Sequence, residues 1–342
     1  MRVRLFVFGV TALFLLSLIV AVAIGSESLA FGEVLRVLRY RLTGGLGAAP
    51  DQTTDLIVWQ LRLPRVLLAL AVGGGLSIIG VAMQALVRNP LADPYILGIS
   101  SGASAGASLF YLGFLPPLLS ATLSMPLAAF LGGLLSISVV YLIARQGNTV
   151  SVTRLLLAGV AMSALMAALT SFVTFASPDT DRLRAVLFWL LGSLDGTTWA
   201  RLPLPAATAV LGLLLLLVLA RPLDAFLIGE EPAFNLGVPV EMTKRLLILL
   251  SALVTGVLVA SSGAIGFVGL IVPHAVRSFV GVSHRRVIPL SFLTGALFLL
   301  WADLAAHVLL RGQILPVGII TALCGVPFFL FLLRRNAYRF GP

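Results

Sequence analysis

Residues 202–220 read LPLPAATAVLGLLLLLVLA, nineteen positions without one charge. At 1.5 Å per residue a helix of that length matches the roughly 30 Å hydrocarbon core of a bilayer. The stretch does not alternate between apolar and polar residues, as a strand of a membrane barrel would. A lipid-embedded segment must satisfy its own backbone, so this one is helical.

The same kind of stretch recurs along the chain. Ten apolar spans are expected at 5–24, 66–86, 94–111, 118–144, 154–176, 202–220, 246–262, 264–281, 288–310 and 315–333. Hydrophobic residues make up 59% of the 342 and charged residues 11%. A water-soluble chain carries about 25% charged residues, so this one lacks the polar groups to cover a wetted surface. No segment separates a soluble domain, and residues 1–342 read as a single all-α membrane domain. The first span has a basic start at Arg2 and Arg4, but its apolar run is longer than a cleaved leader's, and it reads as a retained anchor.

The net charge of +10 is a topology signal. Nucleic-acid binding would need the arginines gathered on a soluble face, and here they are scattered between apolar runs. Placing both termini in the cytoplasm puts Arg2, Arg4, Arg88, Arg145, Arg154, Arg221, Lys244, Arg245, Arg277, Arg285, Arg286, Arg334, Arg335 and Arg339 on the inner side. The outer side then holds a smaller set: Arg36, Arg39, Arg41, Arg62, Arg65, Arg182, Arg184, Arg201 and Arg311. That bias follows the positive-inside rule and indicates the inner (plasma) membrane. Cys324 is the single cysteine, no Cys/His spacing marks a metal site, and no phosphate-binding loop is present. No catalytic group, metal site or cofactor is expected.

Small residues crowd 73–80 (GGGLSIIG), 98–108 (GISSGASAGAS) and 261–269 (SSGAIGFVG), where helices can approach closely. Two inner turns interrupt the spans. One is Asn89-Pro90-Leu91-Ala92-Asp93-Pro94, and the other is 147–153 (GNTVSVT). The longest inner segment contains 224–241 (DAFLIGEEPAFNLGVPVE). Glu230, Glu231 and Pro232 start a short helix, Gly237 stops it, and Pro239 with Glu241 start another. These helices are expected to expose Ala233, Phe234, Leu236 and Val238 as a docking knob. Outside, 31–42 reads as a helix, 44–47 as a break and 54–61 as a return helix. Asp303 is the one carboxylate well inside an apolar span, with Trp301, Thr294 and His307 nearby, and an intramembrane acid is a candidate for ion coupling. His284, in a basic turn, reads as solvated. Arg62 and Arg65 share a helix face at the outer mouth, and Arg311 lies in the last outer turn.

Long motifs carry a resemblance. They are RLPRVLLALAVGGGLSIIGVAMQALVRNPLADPYILGISSGAS (62–104), TRLLLAGVAMSAL (153–165), FWLLGSLDG (188–196), IGEEPAFNLGV (228–238), SGAIGFVGLIVPHAVR (262–277) and LPVGIITALCGVPFFLFLL (315–333). In this order they resemble the FecCD/BtuC-type permease family, which imports iron-siderophore, haem and cobalamin complexes. The resemblance implies a type II ABC importer permease of about ten transmembrane helices, with two such subunits (a homodimer is expected) enclosing a path. It also implies two cytoplasmic ATPase subunits and a periplasmic substrate-binding protein as partners. It assigns ATPase coupling to Gly229, Glu230, Glu231, Pro232, Ala233, Phe234, Leu236 and Gly237. The inner gate is assigned to Asn89, Pro90 and Leu91 with Val152 and Thr153, where Val152 replaces a hydroxyl of the cobalamin member. Binding-protein docking is assigned to Arg62 and Arg65, with His307 at the place of a third arginine and Arg311 one turn on. Gln313 stands where the family often has an acid.

The alternative is an ion-coupled secondary transporter working through Asp303. A sensor or scaffold that recruits a soluble protein through 224–241 is a third reading.

Overall fold

The break at Leu219 shows how this chain handles its apolar runs. Helix α10 (Pro203–Val218) stops there and α11 (Ala220–Phe226) leaves at 63°, so the stretch that defines a span is bent at one end. The computed structural model describes residues 2–25, 29–46, 48–177, 179–310 and 313–334.

Each expected span contains a helix. Spans one to five hold α1 (Arg2–Ala23), α4 (Leu63–Val87), α5 (Ile99–Tyr111), α7 (Met125–Ala144) and α8 (Val152–Phe175). Spans seven to ten hold α13 (Val240–Ser262), α14 (Val268–Val280), α15 (His284–Val308) and α16 (Val317–Arg334). Between them lie α2 (Phe31–Leu42), α3 (Gln52–Asp55), α6 (Pro117–Thr122), α9 (Thr180–Leu190) and α12 (Glu230–Asn235).

Two spans are shorter than expected. Helices α5 and α14 have 13 residues each, about 20 Å of rise, which is less than the hydrocarbon thickness. A 3-10 turn over Pro94–Leu97 and left-handed Gly98 (φ 78°) precede α5. Before α14 the chain runs irregularly from Gly263 to Phe267, whose φ is 70°. The backbone leaves the helix at both places, so part of each apolar run is irregular structure packed inside the bundle. The expected return helix at 54–61 is no separate element. Residues 52–87 form one helical rod, π-helical over Leu56–Arg62.

Helix α4 is the hub. Within its apolar window 89% of residues are buried, and it packs on α10, α13, α14 and α15. Close approach requires glycine at these crossings. A Cβ on Gly73 would overlap the Gly295 carbonyl of α15, and one on Gly80 would overlap the Gly269 carbonyl of α14. Helix α8 is the opposite case, with only 17% of its window buried.

Between α7 and α8 the expected turn is a β-hairpin, β1 (Arg145–Gln146) with β2 (Thr149–Val150). Arg145 pairs with Val150 and Gln146 with Thr149. Gly147, at φ 59°, supplies the left-handed first position of the two-residue turn.

Candidate functional site

The candidate residues fall at the two ends of the bundle. At the α12 end, α4 terminates on Arg88 in the left-handed region (φ 53°) because Asn89 precedes a proline. Asn89 Oδ1 then accepts the Leu91 backbone N–H at 2.9 Å, and Asp93 Oδ1 accepts that of Tyr95 at 2.8 Å. Tyr95 anchors the turn. Its hydroxyl donates to the Ile265 carbonyl at 2.8 Å and accepts from the Ile265 N–H at 3.0 Å. The segment 89–95 is thereby fastened to the irregular entry of α14. Asn89 is exposed, Pro90 buried and Leu91 half-buried. Val152 opens α8 behind Ser151, whose hydroxyl caps the Arg154 N–H. Among the described residues no hydrogen bond joins Asn89–Leu91 to Val152 or Thr153. The contact to α8 comes instead from the 3-10 turn, where a Cβ on Gly159 would overlap the Ile96 carbonyl.

Helix α12 begins where expected. Gly229 (φ 126°) leads into Glu230, Glu231 and Pro232, and Gly237 (φ 83°) follows its end. The knob differs from expectation in two ways. Ala233 is not displayed but fully buried against Ala225, Phe226 and Val240, because a short helix needs a side that packs. Phe234 and Leu236 are displayed, at 70% and 67% exposure. The start at Pro239 belongs to the long α13 rather than to a second short helix. The short partner is α11, which the apolar run concealed. Asp224 on α11 accepts both the backbone N–H and the ring Nδ1–H of His284, at 2.8 and 2.7 Å. His284 is therefore buried rather than solvated.

Sequence reasoning missed Lys244, which is 3% exposed. Its ammonium contacts Glu230 Oε2 at 2.9 Å, Glu241 Oε1 at 2.6 Å and the Val150 carbonyl at 2.9 Å. The available signal was that this is the chain's one lysine, flanked by acids at 230, 231 and 241.

At the opposite end the arginines expected to face outward face inward. Arg62 is 5% exposed, and its Nη1 donates to the Val22 and Ala23 carbonyls at 3.0 and 2.8 Å. These are the last carbonyls of α1, which lack helical partners. Arg65 Nε is 3.1 Å from Asp303 Oδ2, and Arg65 Nη1 is 3.8 Å from Asp195 Oδ1. His307 completes the cluster. Its Nε2 lies 2.7 Å from Arg65 Nη1 and 3.0 Å from Asp195 Oδ1, and its Nδ1 lies 2.8 Å from the Asp303 carbonyl. A neutral ring donates through Nδ1 to the carbonyl and accepts from Arg65, whereas a protonated ring donates to Asp195. Burial opposes ionisation of Asp195. The hydrogen bond and charge of His307, with the charge of Arg65, outweigh it and hold that carboxyl below the usual carboxylate range. The cluster joins α4, α15 and the loop after α9. Arg62, Arg65 and His307 are thus internal ties, because a bundle this poor in charge uses its few cations to neutralise buried acceptors. Asp303, 3% exposed and paired with Arg65, is likewise no free acid awaiting an ion. Arg311 lies outside the described residues.

Comparison with known proteins places this architecture. A profile of the FecCD transport family matches residues 13–335. The cobalamin import system permease protein BtuC of Halobacterium salinarum is 44% identical over 295 residues, covering 84% of this chain and 76% of the relative. The hemin transport system permease protein HmuU of Yersinia pestis is 40% identical over 330 residues, covering 94% and 95%. A solved structure described as an inward-facing, metal-chelate type ABC transporter superposes with a TM-score of 0.82 at 32% identity, over 97% of this chain and 99% of the other. Helices, motifs and relatives agree, and the chain belongs to the FecCD transport family as a permease subunit of an ATP-driven ABC importer.

Proposed function

We propose that two copies of this chain enclose a path for a metal chelate, either an iron-siderophore or haem, with cobalamin the other candidate. Relatives named for cobalamin and for hemin support that class of cargo. The bare face of α8 supports a second subunit. It exposes Ala161, Ala164, Ala167, Ala168 and Ser171, small residues of the kind that let helices pack in lipid. In this reading the chain lies in the inner membrane with both termini in the cytoplasm, as the distribution of arginines supports. ATP is hydrolysed on separate subunits.

The observation that carries the proposal is the pair Phe234 and Leu236. They are large apolar side chains left in the open, Phe234 on a six-residue helix and Leu236 at its C-terminal cap, and the helix's other side is locked into the bundle. Such a feature fits a protein partner, and an ATPase subunit is the partner an ABC permease requires. A substrate-binding protein docks at the opposite end. Arg62 and Arg65 are turned inward, so the docking rim consists of the exposed Arg36, Arg39, Arg184 and Arg201. Phe234→Asp tests the coupling surface. The variant should fold and insert but fail to co-purify with the ATPase, and unchanged co-purification would refute the assignment. Reconstituted uptake that proceeds without ATP would refute the proposal as a whole.

A further inference from the structure

Lys244 stands in the first turns of α13, where three parts of the machine meet. A lysine ammonium has three N–H groups and no acceptor, and here each group has its own target. One is Glu230 Oε2 on α12 at 2.9 Å, one is Glu241 Oε1 on α13 itself at 2.6 Å, and one is the Val150 carbonyl of the hairpin at 2.9 Å. Glu241 turns its second oxygen to the Val150 N–H at 2.8 Å. Val150 thus commits both backbone groups to the head of α13, and it lies two residues before α8 begins. The next residue, Arg245, holds Asn148 of the same hairpin through Oδ1 at 2.6 Å. Hairpin and α13 therefore move as one piece. Among the described residues no hydrogen bond runs directly from α12 to the hairpin.

Packing alone does not complete the linkage. Ala233 rests on Ala225, Phe226 and Val240, and such a contact transmits a push. A pull is carried by groups that attract each other across the joint, and a buried ammonium held between two half-buried carboxylates does so through charge-assisted hydrogen bonds. We propose that Lys244 is the positioning residue that ties α12 to the α7–α8 hairpin, so that displacement of α12 is passed to the start of α8. The inference rests on reading α12 as the ATPase-docking helix.

The test uses the assembled transporter of permease, ATPase and binding protein, reconstituted in liposomes. Three variants are compared for ATPase co-purification, ATP hydrolysis and chelate uptake per ATP. Glu230→Gln removes the charge from the α12 arm and leaves an amide oxygen as a weaker acceptor, while Lys244 keeps Glu241 and Val150. Lys244→Met removes all three arms, and Lys244→Arg keeps the charge. Lys244→Met should retain the ATPase and its hydrolysis while uptake per ATP falls about fivefold or more, Glu230→Gln should lower the same ratio, and Lys244→Arg should recover part of the loss. A merely structural role would lower both rates together and leave their ratio unchanged. An unchanged ratio in Glu230→Gln overturns the proposal, and so does loss of ATPase binding by Glu230→Gln, which would make Glu230 a docking residue. If Lys244→Met fails to assemble, Glu230→Gln decides. If the unaltered chain itself recruits no ATPase, the coupling reading falls first and the tie falls with it.

Discussion

Replacing Asp303 with asparagine separates a structural tie from an ion-coupling site. The substitution keeps the shape of the side chain and removes its charge. In the structure Asp303 Oδ2 lies 3.1 Å from Arg65 Nε, and the two side chains are 4% and 13% exposed. At that distance two unit charges attract by about 5 kcal/mol at an effective dielectric of 20. The amide recovers about 1 kcal/mol through a hydrogen bond to the guanidinium. Asp195, at 3.8 Å from Arg65, continues to neutralise part of the stranded charge. A loss of about 2–3 kcal/mol remains, at the lower edge of what breaking a buried pair costs. Thermal scanning of detergent-solubilised protein should show the midpoint about 5 °C lower. The double variant Arg65→Met/Asp303→Leu should recover most of that loss, since it removes both members of the buried pair and leaves Asp195 with His307. Reconstituted uptake by Asp303→Asn should still depend on ATP and be indifferent to a proton or sodium gradient. If the variant is as stable as the unaltered chain, or if its uptake is lost while its fold is intact, the reasoning fails.

Three further expectations follow from the geometry. Gly80→Leu should cost about 1–3 kcal/mol and lower the yield of folded protein, because its Cβ meets the Gly269 backbone rather than a movable side chain; an unshifted thermal midpoint would contradict the crossing. Asp195 is held below its ordinary range by His307 and Arg65, so its stabilising share is present above about pH 4 and is lost as pH falls through its lowered value. The difference in thermal midpoint between the unaltered chain and Asp195→Asn should therefore close on acidification below about pH 4; a gap that widens there would overturn the assignment. Gly147→Val should destabilise the hairpin by about 1 kcal/mol or more, since it forces a β-branched residue to φ 59°, and hydrogen exchange at the α7–α8 turn should rise.

The spans were legible because lipid leaves the sequence few options: a long run without charge, such as 202–220, has to be a helix. The lengths of α5 and α14 were not. Their runs are as apolar as the others, and the breaks depend on left-handed backbone at Gly98 and at Phe267, where nothing in the residue type of a phenylalanine announces it. The start and stop of α12 were readable from Glu230, Pro232 and Gly237, since capping is a local matter. Which side chains face inward was not local. Arg65 meets Asp303 and His307 from more than 230 positions away, and an arginine ahead of an apolar run reads from sequence as a wetted rim. Lys244 was hidden for the same reason: its Val150 partner lies 94 residues earlier.

Helix α4 poses a problem of timing during synthesis. Its apolar window is 89% enclosed by protein in the finished fold, yet α10, α13, α14 and α15, which enclose it, are all translated later. For much of the chain's manufacture its glycine-lined faces at Gly73 and Gly80 border lipid or the insertion machinery. A ribosome that stops before α13 leaves a well-inserted but unclad rod, a natural target for membrane quality-control proteases.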